Sequence, residues 1–243
     1  MFEAWLMETR SVLPSTTQRP LRTSLLALLL AAVGTAVFAE RPMVVDDAGG
    51  LERGGAKVEF GLNKDVDAVG GEAAVGYVPV DHIELELAVG RARSDGTATV
   101  ETIRAVGAAL KWVPIQAETG LSAGFKYAFG HERVSGSPIR HANAVSALVS
   151  WRFEGGSAVH ANLGREWSRS GGDRDAVNIW GVGVEVPLAP RLCATVEAFG
   201  LEHEGMARQA GLRYEIAEGL KVSGAVGHGA QRSLANLGLT WKF

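Results

Sequence analysis

From residue 54 to the carboxyl terminus the chain repeats one pattern: runs of about ten residues in which apolar side chains alternate with polar or small ones, each closed by a break. The first runs set Val58, Phe60 and Leu62 against Lys57 and Glu59, then Ala73, Val75 and Tyr77 against Glu72, Ala74 and Gly76. Ile83, Leu85, Leu87 and Val89 follow, against Glu84, Glu86 and Ala88. The alternation continues around Lys111, Lys126, Ser150 and Arg152, Glu166, Glu185 and Arg213, and it closes with Leu237, Leu239, Trp241 and Phe243. A period of two describes a strand with two unlike faces. The spacing of the breaks predicts about twelve such strands.

A soluble sandwich buries one face of such strands, and its last strand usually trails into polar residues; here the apolar row runs to the final residue. The breaks also alternate in kind. One set is short and carries Pro or Glu-Gly, at Pro79, Pro114, Gly155, Pro187 to Pro190 and Gly219; the other is longer and more charged, around Asp95, Ser135, Gly171 and Gly205. A membrane barrel with both ends in the periplasm predicts short inner turns and longer outer loops. Aromatic residues divide likewise, with Tyr77, Trp112, Trp151, Phe153, Tyr214, Trp241 and Phe243 at one level and Phe129, Trp167 and Trp180 at the other. The expected fold is all-β, a transmembrane antiparallel up-and-down β-barrel. Its lumen-facing row is expected to hold Glu84, Glu86, Lys111, Lys126, Arg152, Glu166, Glu185 and Arg213, which either line a path or pair with one another. On this parity Leu85→Arg, on the lipid face, is expected to cost much more than Glu86→Gln on the lumen side.

Residues 1–39 form a signal peptide by the same kind of reading. Arg19 and Arg22 precede an apolar run from Leu25 to Val37 that ends in Val37-Phe38-Ala39, small enough for cleavage after Ala39. A membrane anchor is the alternative, although the run is short for a span. The first twenty residues exceed what a leader needs, and Met7 or a later codon is a candidate start. Removing three Arg and two Glu from totals of 24 basic and 27 acidic residues leaves 21 and 25, so the exported part is mildly acidic and carries no footprint for nucleic acid. Residues 40–53 have neither strand nor helix period and read as a periplasmic lead-in or a small plug, ahead of a barrel over residues 54–243. The neighbouring Asp46 and Asp47 read as solvated or capping carboxylates.

Catalytic signals are weak. Gly120-Leu121-Ser122-Ala123-Gly124 matches the G-x-S-x-G pattern, but that serine needs a strand-to-helix turn and the alternation runs straight through it. His131, His141, His203 and His228 fall at loops or strand ends without ligand spacing, and the single Cys193 reads as a packing group. No cofactor, metal or catalytic residue is expected.

Four stretches carry a family resemblance: Arg41-Pro-Met-Val-Val-Asp-Asp-Ala-Gly-Gly-Leu-Glu-Arg-Gly54 with the following Val-Glu-Phe, Tyr77-Val-Pro-Val-Asp-His-Ile-Glu-Leu85, Leu110-Lys-Trp-Val-Pro114, and the Trp-Lys-Phe ending. Together they resemble the outer-membrane barrels of the phenol-degradation meta-pathway transporter family. The resemblance implies a channel for passive uptake of small, aromatic or apolar molecules, and it transfers no binding residue. The expected partners are outer-membrane lipid, a small-molecule solute, and the barrel assembly machinery through Trp241 and Phe243. A structural or adhesive barrel working through its outer loops is the alternative, and a lipid-modifying barrel enzyme the third reading.

Overall fold

The computed structural model describes residues 40–65, 67–95, 100–229 and 232–243, so the expected signal peptide lies outside the described residues. Twelve strands follow in order: β1 (Ala56–Lys64), β2 (Ala68–Val80), β3 (Ile83–Ser94), β4 (Glu101–Ile115), β5 (Gly120–Val134), β6 (Arg140–Arg152), β7 (Ala158–Ser170), β8 (Asp173–Ala189), β9 (Leu192–Leu201), β10 (Ala207–Ala217), β11 (Leu220–Gly229) and β12 (Arg232–Lys242). Each pairs antiparallel with its neighbours in sequence, and β1 closes on β12 with Lys57 opposite Lys242, Phe60 opposite Leu239 and Lys64 opposite Ala235. Closure leaves no free sheet edge, which in hydrocarbon would strand backbone donors and acceptors without water.

Alternation assigns the two surfaces. Leu62, Leu87, Leu163 and Leu237 are among the most exposed apolar residues, and Glu84, Glu86, Lys111 and Lys126 are buried. An apolar outside and a charged inside invert a soluble domain and identify a barrel embedded in the outer membrane. Trp112 and Phe125 pack with ring centroids 6.5 Å apart, and Trp241 and Phe243 at 4.8 Å, all at the end that holds the carboxyl terminus.

The turns at that end are short. Register irregularities between Tyr77 and Val80, Trp112 and Ile115, and Pro187 and Ala189 contain Pro79, Pro114 and Pro187, residues with no N–H to give to a ladder. The opposite end differs from expectation. The stretches from His131 to His141 and from Ser168 to Asp175 are mostly strand: β5 runs to Val134, β6 starts at Arg140, and β7 meets β8 through Gly171 and Gly172 alone. Those two glycines have φ of 59° and 102°, conformations that side chains disfavour. The physical reason is that a strand extending past the lipid keeps its ladder without apolar outward residues, so its charges read as loop.

Candidate functional site: the barrel lumen

Residues 40–53 enter the barrel from the end that holds the carboxyl terminus, turn back inside, and leave at the same end to begin β1. Glu40 lies beside Lys242, Lys221 and Arg213, with Lys221 Nζ at 2.7 Å. The turn reaches Met43 and Val45, which pack with Phe199 and Ala207 farther up the lumen. The segment then descends to Gly50, whose carbonyl accepts from Gln116, and Gly54 N–H bonds the Val78 carbonyl as the barrel wall begins. Small inward residues make room. A Cβ on Gly181 would stand 2.7 Å from Val45 Cγ2, one on Gly211 2.7 Å from Pro42 Cγ, and one on Gly238 2.7 Å from Arg41 Cδ.

Each turn of the segment meets a polar group of the wall. Arg41 pairs with Glu72. The Pro42 carbonyl accepts from Gln209 Nε2 at 2.8 Å and Asn236 Nδ2 at 3.2 Å. Main-chain amides of Val44 and Val45 donate to the Glu197 carboxylate at 2.8 and 2.7 Å. Asp46 is 1% exposed, with Oδ1 3.1 Å from Lys111 Nζ and Oδ2 2.8 Å from Lys126 Nζ. Its backbone exchanges two hydrogen bonds with the Asn162 side chain. Asp47 pairs with Lys111 and with Arg152, each at 3.0 Å, and Ala48 N–H donates to Ser150 Oγ at 2.7 Å. The two aspartates are therefore counter-ions inside the barrel, Asp46 enclosed and Asp47 partly exposed. The sequence hides this because their lysines lie 64 to 80 positions away.

The eight expected lumen residues all face inward, and all eight take part in ion pairs. Lys111, Lys126 and Arg152 hold the aspartates; Arg213 bridges Glu185 at 3.1 Å and donates to the Arg41 and Glu40 carbonyls at 2.7 Å. Glu86 is held between Lys57 at 2.6 Å and Lys126 at 2.8 Å, and Glu84 lies 2.8 Å from Lys57. Glu86→Gln would remove one of two counter-charges from each of two buried lysines, since Lys57 keeps Glu84 and Lys126 keeps Asp46, so it costs more than an unpaired inward carboxylate would. Glu166 stands apart, paired with Arg140 toward the far end. Glu59 and Glu72 belong to the polar row already read in the sequence; the carboxylate overlooked there is Glu197, which the alternation also places inward.

Burial raises the Glu40 carboxyl, but Lys242, Arg213 and Lys221 outweigh it and hold the group well below the usual carboxylate range. Ser150, His160 and Glu185 form a line, Oγ to Nδ1 2.8 Å and Nε2 to Oε1 3.8 Å. Ser150 is wholly buried, and its oxygen accepts from the Ala48 amide. Ser122, from the G-x-S-x-G match, is equally buried and bonded to the Ala117 backbone.

Below the segment, toward the carboxyl terminus, lies a vestibule of about 890 Å³ lined by charges of both signs, among them Lys57, Glu59, Glu84, Arg152 and Glu185. A second, smaller pocket of about 90 Å³ is lined by Val44, Leu148, Ile179 and Phe199.

Among solved structures, the chain is similar in fold to the COG4313 outer membrane channel from Pseudomonas putida F1, at 12% identity and a TM-score of 0.60 over 81% of this chain and 98% of that one. The KdgM porin in complex with disordered oligogalacturonate matches at 10% identity and 0.59, over 77% and 99%. The translocator domain of the autotransporter NalP from Neisseria meningitidis matches at 12% and 0.53, over 91% and 96%. These likenesses concern the barrel alone. No curated protein matches the sequence. A family model does, over residues 26–243, and the chain belongs to the family described as uncharacterised conserved protein UCP029691.

Proposed function

We propose that the protein is an outer-membrane channel for small polar solutes, held closed by residues 40–53. The observation that carries the reading is Asp46, bound at once by Lys111 and Lys126 from the wall. The charges that would line a path are neutralised by the segment instead, and they become available only when it leaves. The barrel is oriented with its termini and Pro-bearing turns in the periplasm, where the exposed Trp241 and Phe243 meet the assembly machinery. The solute enters by passive diffusion. Resemblance to the phenol-degradation meta-pathway transporters implies aromatic or apolar cargo, but a vestibule lined by Lys57, Glu59, Glu84, Arg152 and Glu185 favours hydrophilic molecules.

The test is conductance in planar bilayers of the wild type and of a variant lacking residues 41–50, both shown to fold by heat-modifiable gel mobility. A quiet wild type and a conducting deletion support the closed channel. A folded deletion variant without conductance overturns it and favours a sealed barrel acting through its outer rim.

A further inference from the structure

The outer wall carries a second built feature, away from the lumen. Arg91 on β3, Arg104 on β4 and Arg133 on β5 are direct cross-strand partners, Arg91 opposite Arg104 and Arg104 opposite Arg133. All three are exposed and share the outward parity of Leu87, Val106 and Phe129. Like charges placed directly opposite repel, and none of the three makes an ion pair with any described residue. Glu132 beside them is buried on the inward face, and Arg93 adds a fourth positive charge above. A row of three guanidinium groups in this state calls for an anion from outside the chain.

Its height says which anion. Eight residues separate Trp112, in the aromatic level near the termini, from Arg104 on the same strand. At about 3.4 Å per residue and a tilt of about 40°, the row stands roughly 20 Å above that level, at the far boundary of the apolar band. Directly beneath lie Val89, Val106 and His131, then Leu87, Ala108 and Phe129, where the small Ala108 leaves a shallow channel between two larger side chains. On the adjoining wall His141 packs edge-on to His131 at 4.6 Å. Farther round, Arg169 and Arg174 border an open cleft of about 900 Å³ with Trp167 and Asn143.

We infer that Arg91, Arg104 and Arg133 clamp the phosphate groups of a phosphorylated outer-leaflet glycolipid, whose acyl chains lie along the apolar channel over Ala108. Planar guanidinium groups bind phosphate in paired hydrogen bonds, and the clustered repulsion is relieved only when the phosphates arrive. Assignment to the outer leaflet rests on the orientation given above; the lipid chemistry does not.

Native mass spectrometry of the full barrel in detergent tests this with bisphosphorylated lipid A and its phosphate-free counterpart. The wild type is expected to bind the phosphorylated lipid at least tenfold more tightly. Joint replacement R91Q/R104Q/R133Q is expected to lose at least tenfold, and Arg208→Gln, a lone outward arginine on β10, to change nothing. Equal binding of the two lipids, an unaffected triple variant, or an equal loss in Arg208→Gln overturns the site. Complete displacement by inorganic phosphate would mean a free-anion site in place of a lipid clamp. Heat-modifiable mobility checks that the triple variant folds. Labelling of Ser135→Cys on intact cells reads orientation separately, and its absence would remove the outer-leaflet assignment while leaving the measured affinity to judge the clamp.

Discussion

Replacing Asp46 by Asn isolates the contribution of one charge to closure. The amide keeps the size of the side chain, and the two backbone hydrogen bonds to Asn162 survive. What disappears is the shared counter-ion of Lys111 and Lys126, both 3% exposed at the side chain. Removing one member of a buried pair typically costs about 3–5 kcal/mol, because the remaining charge is left uncompensated. Here Lys111 keeps Asp47 at 3.0 Å and Lys126 keeps Glu86 at 2.8 Å, which places the cost at the lower end, about 3 kcal/mol. The barrel does not have to bear it. If residues 40–53 withdraw, both lysines meet water, so the loss falls on the equilibrium between closed and open lumen. With each 1.4 kcal/mol worth about tenfold, the open fraction rises by roughly a hundredfold. Single-channel recording in planar bilayers reads that fraction directly, with a urea titration in lipid vesicles alongside. An unchanged open fraction together with a lowered unfolding midpoint would refute the reasoning, since the charge would then hold the barrel together and not the segment in place.

Acidifying the side that holds the carboxyl terminus should loosen the same segment. The Glu40 carboxyl is depressed in the folded protein, so its contribution is complete above the ordinary value of 4.5 and is lost as pH falls toward the folded one; open probability should climb below about pH 4.5, which current recordings against pH will check. Gly181→Leu drives a side chain into the space of Val45 Cγ2 and is expected to raise conductance without lowering barrel stability in urea. Joining Ala48→Cys to Ser150→Cys, whose parents touch through a 2.7 Å hydrogen bond, should lock the lumen shut until a reductant is added, read as reductant-dependent conductance. On the lipid face, Leu85→Arg should destabilise by about 2–4 kcal/mol if it lies near the midplane, measured by folding titration in vesicles.

Alternation alone was enough to place Glu84, Glu86, Lys111, Lys126, Glu166, Glu185 and Arg213 on one surface, because a closed sheet leaves each side chain only two directions. It also gave the twelve strands and the level of Trp112 and Trp241. Length of the outer loops was not legible: His131, Arg133 and Arg169 look like loop residues only if strands are assumed to stop where apolar side chains do. The role of Asp46 and Asp47 was hidden for another reason. Residues 40–53 have no period because their contacts change from one wall strand to the next, and no local spacing encodes a segment that reaches β12, β9, β7 and β4 within a few positions.

How the segment is held bears on whether it can leave. Its apolar anchors are few, Met43 and Val45 against Phe199 and Ala48 against Val113 and Leu148, while charges and main-chain amides make up the rest. Apolar packing would lose its whole burial energy on exposure to a wet lumen, about 1.5–3 kcal/mol for each large side chain. Ion pairs behave otherwise. Desolvation already offsets most of their attraction in the closed state, and water returns that penalty to both partners when they separate. A lumen closed by Asp46 to Lys111 and Lys126, Asp47 to Arg152 and Glu40 to Lys221 is thus specific in register yet modest in net free energy. The same residues packed as leucine and valine would give a permanently filled core. The polar choice is the physical reason to regard closure as reversible, and it explains why loss of a single charge is expected to act on opening before it acts on folding.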